Sequence, residues 1–134
     1  MKKLILLLLP LLLIMGCEDD TNIFDDEDAR DSFIGTWNCT ETPTKQSNYL
    51  VTIEYDLTNS SQVLLKNFAL LGNNNAPYAI IAGTTITIPS QSCCDNQWTI
   101  QGSGKLTSSK KIEWTYNLDD GADITYYTAI YEKQ

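Results

Sequence analysis

The sequence predicts an all-β domain over residues 33–134: a single antiparallel up-and-down meander of about eight strands that closes as a barrel, with a β-sandwich as the alternative. Three observations carry this expectation. Apolar residues recur at every second position in several runs, the period of a half-buried strand. The runs are short and are broken by Gly, Asn, Asp and Ser at intervals of roughly 8–12 residues. No segment places apolar residues at helical spacing. Closure is favoured over an open sheet because a barrel leaves no edge free for aggregation.

The first run, 34–40, puts Cys39 on the strand face of Trp37, so both are expected to point inward. Residues 49–57 alternate most clearly, with Tyr49, Val51, Ile53, Tyr55 and Leu57 against Leu50, Thr52, Glu54 and Asp56. Shorter runs follow at 63–70, 78–82, 84–88, 98–102 and 104–107. Alternation is clear again in 112–118, where Ile112, Trp114, Tyr116 and Leu118 face Glu113, Thr115 and Asn117. Near the end, Ile124, Tyr126 and Ile130 share one face, and Tyr127 and Tyr131 take the other. The breaks at Asn59-Ser60-Ser61, Gly72-Asn73-Asn74-Asn75, Ala82-Gly83, Ser103-Gly104, Ser108-Ser109 and Asp119-Asp120-Gly121 have turn chemistry, since Asn and Gly accept the positive φ of tight hairpins.

Gly35-Thr36-Trp37 resembles the Gly-x-Trp opening of lipocalins and other calycins, in which the tryptophan plugs the closed end of an eight-stranded barrel. More broadly, Phe33-Ile34-Gly35-Thr36-Trp37, Ile86-Thr87-Ile88-Pro89-Ser90-Gln91, Ile100-Gln101-Gly102-Ser103-Gly104 and Tyr127-Thr128-Ala129-Ile130-Tyr131 resemble a group of small lipocalin-like lipoproteins of the Bacteroidota. This resemblance covers nearly all of 33–134 and implies a fold and a source, with no biochemical activity to carry over. The late basic residue that packs over the tryptophan in lipocalins has no evident counterpart.

Ahead of the domain stands an export signal. Lys2 and Lys3 precede an unbroken apolar run, 4–15, which is too short for the roughly 20 helical residues that cross a bilayer. Leu13-Ile14-Met15-Gly16-Cys17 resembles the lipobox of bacterial lipoproteins. The resemblance implies removal of residues 1–16 by cleavage between Gly16 and Cys17. It also implies a diacylglyceryl thioether on Cys17 and palmitate-type acylation of the new amino group. Several chains together make such an anchor stable, because each buried methylene contributes about 0.8 kcal/mol.

Residues 17–32 read as a disordered acidic tether. Positions 18–32 hold eight acidic residues against Arg30 alone, whereas nine acids face six lysines from Phe33 onward, so most of the chain's net charge of −8 lies ahead of the domain. An acidic run behind the lipidated cysteine resembles the surface-export signal of Bacteroidota lipoproteins. The expected location is the outer membrane of the cell envelope, on its outer or its periplasmic face.

Export places the domain where disulfides persist, so Cys39 is expected to pair with Cys93 or Cys94, contributing roughly 4 kcal/mol by chain entropy. Vicinal cysteines should point to opposite strand faces. With no histidine in the chain, a zinc cage lacks ligands and a serine or cysteine nucleophile lacks its usual base. Glu54 and Glu113 are the one carboxylate pair to weigh for a glycosidase, and the alternation puts both outward. Asp119-Asp120-Gly121-Ala122-Asp123 reads as a hairpin turn in preference to a calcium loop. The acidic charge, relieved only by Lys110-Lys111, excludes nucleic acid as the expected partner.

The function expected is therefore non-enzymatic, without metal or cofactor: a membrane-tethered binding or structural module for a small apolar ligand, a glycan or a protein. Tyr127 and Tyr131, together with Asn73 and Asn74 in the 72–76 loop, are the candidate contacts. The runner-up is an inhibitor of lysozyme-type enzymes, whose basic surface the acidic charge would steer.

Overall fold

The computed structural model describes residues 27–42 and 48–134. Gly16, Cys17 and most of the tether lie outside these residues. Eight antiparallel strands run in sequence order and close on themselves: β1 (Gly35–Thr42), β2 (Tyr49–Tyr55), β3 (Gln62–Lys66), β4 (Tyr78–Ala82), β5 (Thr85–Cys93), β6 (Trp98–Ser108), β7 (Lys111–Asp119) and β8 (Ile124–Lys133). Closure pairs β1 with β8, from Trp37 opposite Lys133 to Thr42 opposite Thr128. The barrel, not the sandwich, is the fold.

The predicted alternation explains the wall of β7 and that of β2 as far as Ile53; Tyr55 and Leu57, expected on the same face, are exposed where the chain leaves the sheet. Val51 and Ile53 are buried, as are Ile112, Trp114, Tyr116 and Leu118, while Glu54, Glu113 and Thr115 face out. Three further expectations are corrected. The runs 98–102 and 104–107 form one strand, β6, because Gly104 is no turn: Cδ2 of Trp114 lies 2.7 Å from where a Cβ would stand, so the indole fills that space. The run 63–70 leaves the sheet after Lys66, where Asn67 turns left-handed (φ 60°) and a short 3-10 turn, Phe68–Leu70, carries Phe68 into the core. In β8 the faces are reversed. Ile124, Tyr126 and Ile130 are exposed, and Ala129 and Tyr131 are buried.

One barrel end is tightly closed. Phe33 and Trp37 are both fully buried there, and the Trp37 indole donates to the Phe33 carbonyl at 2.8 Å. Lys133 supplies the basic residue that the sequence did not reveal: its Nζ stands 5.2 Å from the centroid of the Trp37 ring. Its stem passes over Gly35, whose φ of +133° and missing side chain leave room; a Cβ there would meet Lys133 Cε at 3.2 Å. The last residues of the expected tether join this end. Arg30 donates to the Asp28 carboxylate and to the carbonyls of Asp56, Asn59 and Gln62, which close the β2–β3 turn. The guanidinium also covers the Tyr55 ring, whose hydroxyl donates to Asp31. The other end carries the β3–β4, β5–β6 and β7–β8 connections.

Candidate functional site

Within the barrel an aromatic cluster is built from three directions. Phe68 reaches in from the 3-10 turn and meets Trp114 (centroids 5.5 Å apart) and Tyr116 (4.7 Å). Trp114 lies 5.5 Å from Tyr131, and Tyr116 stacks on Tyr127 at 5.2 Å. Registers explain the meeting. Trp114 lies opposite Ala129 and Tyr116 opposite Tyr127, and β8 hands Tyr131 on to Cys39 of β1.

Three polar groups of this cluster are buried without a hydrogen-bond partner among the described residues: Trp114 Nε1, the Tyr116 hydroxyl and the Tyr131 hydroxyl. Each is a donor whose desolvation costs about 1–3 kcal/mol when left unmet. The Tyr131 hydroxyl faces the Cys39 thiol, a weak acceptor, without a hydrogen bond of sound geometry.

Beside them sits the one buried charged residue among those described, Glu41. It follows Trp37 and Cys39 on the inward parity of β1, and its carboxylate accepts from the Tyr49 hydroxyl at 3.2 Å. Burial raises the Glu41 carboxyl above its ordinary value, and the Tyr49 hydrogen bond only partly offsets this. Burial likewise raises the Cys39 thiol to about 11, keeping it neutral and unreactive. In the register, Glu41 and Trp114 both flank Ala129, whose methyl group occupies little of the interior between them. The result is a buried cluster with an apolar aromatic body, three unmatched donors and one carboxyl. It is suited to a small molecule with hydrogen-bond acceptors on an apolar frame.

The residues expected at a site fall in different places. Tyr131 is fully buried in this cluster and offers no surface contact, because the β8 faces are reversed. Tyr127 is half-buried, stacks on Tyr116 and borders a groove of about 900 Å³ on the barrel wall. Asn73 and Asn74 are exposed in the β3–β4 connection, and neither borders that groove. Gly35 and Trp37 hold the closed end.

The expected disulfide is not formed: Cys39, Cys93 and Cys94 are free and buried. In an eight-stranded barrel β1 and β5 stand on opposite walls, so Cys39 meets Tyr49 and Tyr131 while Cys93 meets Cys94. The vicinal pair does not split across the strand either, because Cys94 turns left-handed (φ 59°) at the end of β5 and is buried with Cys93. Burial raises both thiols above their ordinary values.

Glu54 and Glu113 are exposed on β2 and β7, three strand positions apart around the barrel, and Glu113 pairs with Lys111 at 3.8 Å. They form no carboxylate pair. The Asp119 and Asp120 carboxylates accept from backbone amides of their own turn, those of Gly121, Ala122 and Asp123. Among the described residues no group of three or more Cys, Asp or Glu side chains is placed to hold a metal ion. Sequence reasoning missed Glu41 and the unmatched donors. Strand parity alone would have found Glu41, two positions beyond Cys39.

Neither a protein-family model nor a curated protein matches the chain. Among solved structures, the chain is similar to one described as EF1p2_mFAP2b bound to DFHBI, with a TM-score of 0.53 and 16% identity over 80% of this chain and 98% of that one. The likeness concerns the fold: an eight-stranded, calycin-like barrel.

Proposed function

We propose that this calycin-like barrel is a lipid-anchored, non-enzymatic binding module of the bacterial cell envelope, which carries a small, largely apolar ligand in its interior. The observation that carries the reading is the set of unmatched donors, Trp114 Nε1 and the hydroxyls of Tyr116 and Tyr131, inside an otherwise apolar aromatic cluster. A ligand carbonyl or ether oxygen reaching these groups would recover the hydrogen bonds that the fold leaves unmade. The similar solved barrel, described as bound to DFHBI, supports small-molecule carriage by this architecture.

The anchor rests on the sequence, where the basic start, the apolar run and Gly16-Cys17 agree on one mechanism. The outer membrane is the location it implies. The chain enters the barrel at the Trp37 end, so the end with the longer connections would face away from the membrane.

Prodan, a neutral naphthyl ketone with a carbonyl acceptor, tests the interior. Titrated into the purified protein, it should bind saturably with blue-shifted emission and take energy from tryptophan. No saturable binding would remove the reading.

A further inference from the structure

We propose that the outer wall formed by β5–β8 and the end of β1 carries a second site, distinct from the interior, that binds a neutral oligosaccharide chain. Its basis is a ladder of hydroxyl side chains set by strand register. Thr87 lies opposite Ser103, Ser103 opposite Thr115, Thr115 opposite Thr128, and Thr128 opposite Thr42. All five are exposed and border the groove of about 900 Å³. Neighbouring strands lie about 4.8 Å apart, so the ladder presents a hydroxyl at a spacing close to the advance of one pyranose unit.

A second row runs beside it: Gln101 opposite Asn117, and Asn117 opposite Tyr126. The amides add paired donors and acceptors, and Tyr126, 71% exposed, offers a ring face to the same groove. Two backbone features bend the wall at this height. The register slips between Ile88 and Gln91, and β6 approaches β7 so closely at Gly102 that a Cβ there would stand 2.4 Å from that of Tyr116.

The chemistry selects the occupant. No residue bordering the groove is charged, although the chain carries 26 charged side chains; Lys105 and Glu113 lie opposite one another in the next row on one side, and Asp119 stands in the next row on the other. A neutral groove lined by hydroxyls, amides and a ring matches a neutral, polyhydroxylated ligand and offers an ionic one no opposite charge. Threonine's preference for strands accounts for exposed threonines as such. It does not account for the unbroken register of hydroxyl side chains across five strands, or for a largely exposed tyrosine beside them.

Affinity electrophoresis of the purified full chain through gels containing laminarin, dextran, mannan or glycol chitin, with polygalacturonate as the anionic comparison, tests this site. At least one neutral polymer should retard the protein. Tyr126→Ala should weaken that binding by about tenfold, the effect of losing a stacked ring. Thr115→Val, which keeps shape and removes the hydroxyl, should weaken it less, and Leu57→Ser, on the β2–β3 turn, should not change it. Retardation by none of the neutral polymers, preference for polygalacturonate, or binding untouched by Tyr126→Ala would overturn the proposal. So would self-association of the chain in sedimentation that Tyr126→Ala abolishes, since the groove would then belong to a second copy. Prodan binding reads the interior separately, so failure at one site leaves the other standing.

Discussion

The Lys133 ammonium nitrogen stands 5.2 Å from the centroid of the Trp37 ring, joining the last residues of β8 to the start of β1 across the seam that closes the barrel. The contact is more than a charge over a ring. Lys133 Nζ also donates to the Ser32 carbonyl at 3.4 Å, and the Trp37 indole donates to that of Phe33 at 2.8 Å. The plug therefore fixes both the incoming chain and the closing strand pair.

Trp37→Ala should cost about 3–5 kcal/mol, as for other buried tryptophans. Lys133→Ala should cost about 0.5–1 kcal/mol, the scale of a partly exposed cation–π contact. In a domain of this size each kcal/mol moves Tm by about 4–8 °C, so thermal denaturation separates the two. Equal losses would mean that the plug's stability comes from the seam and not from the buried ring.

The Arg30 side chain should govern the order of residues 28–32 and of the β2–β3 turn. Arg30 holds the Asp28 carboxyl below its ordinary value through a side-chain hydrogen bond. A depressed carboxyl stabilises above its unfolded value and loses that contribution as pH falls through its folded value. Hydrogen exchange should show faster opening around Asp56 to Gln62 in Arg30→Ala at neutral pH, and a similar opening in the wild type at acidic pH. Unchanged exchange in the variant would show that the turn holds without the guanidinium.

Glu41 should work in the opposite sense. Burial raises its folded value, so the unfolded state ionises first as pH rises, and stability falls from the ordinary carboxyl range up through the raised value. Glu41→Gln should remove that slope while retaining an acceptor for Tyr49. Tm of the variant should gain on the wild type from acid to neutral pH; a gap constant with pH would contradict the assignment.

Cys17→Ser should release the protein from the membrane fraction and remove a lipid-sized mass. Unchanged retention with unchanged mass would end the lipoprotein reading.

The parts of the fold legible in the sequence are those where one strand face is apolar and the other polar. Val51 and Ile53 against Glu54, and Trp114 and Tyr116 against Thr115, gave the walls of β2 and β7 directly. In β8 both faces are apolar, with Ile124, Tyr126 and Ile130 outside and Tyr127, Ala129 and Tyr131 inside, so hydropathy had no basis for choosing. Gly104 carries the composition of a turn, and only the Trp114 ring lying over it explains its place inside a strand. Lys133 above Trp37, the unmatched donors and the hydroxyl ladder all depend on which residues face one another across the sheet. That register is set by closure of the whole barrel and is not written in any local run.

The most direct test of the interior site is the double variant Tyr116→Phe with Tyr131→Phe, measured for Tm and for prodan affinity. Donors that serve a ligand cost stability in the unliganded protein, so their removal should leave Tm equal to or above that of the wild type and weaken prodan binding by about tenfold or more. A fall in Tm with unchanged prodan affinity would contradict the account, since the two hydroxyls would then be serving the fold.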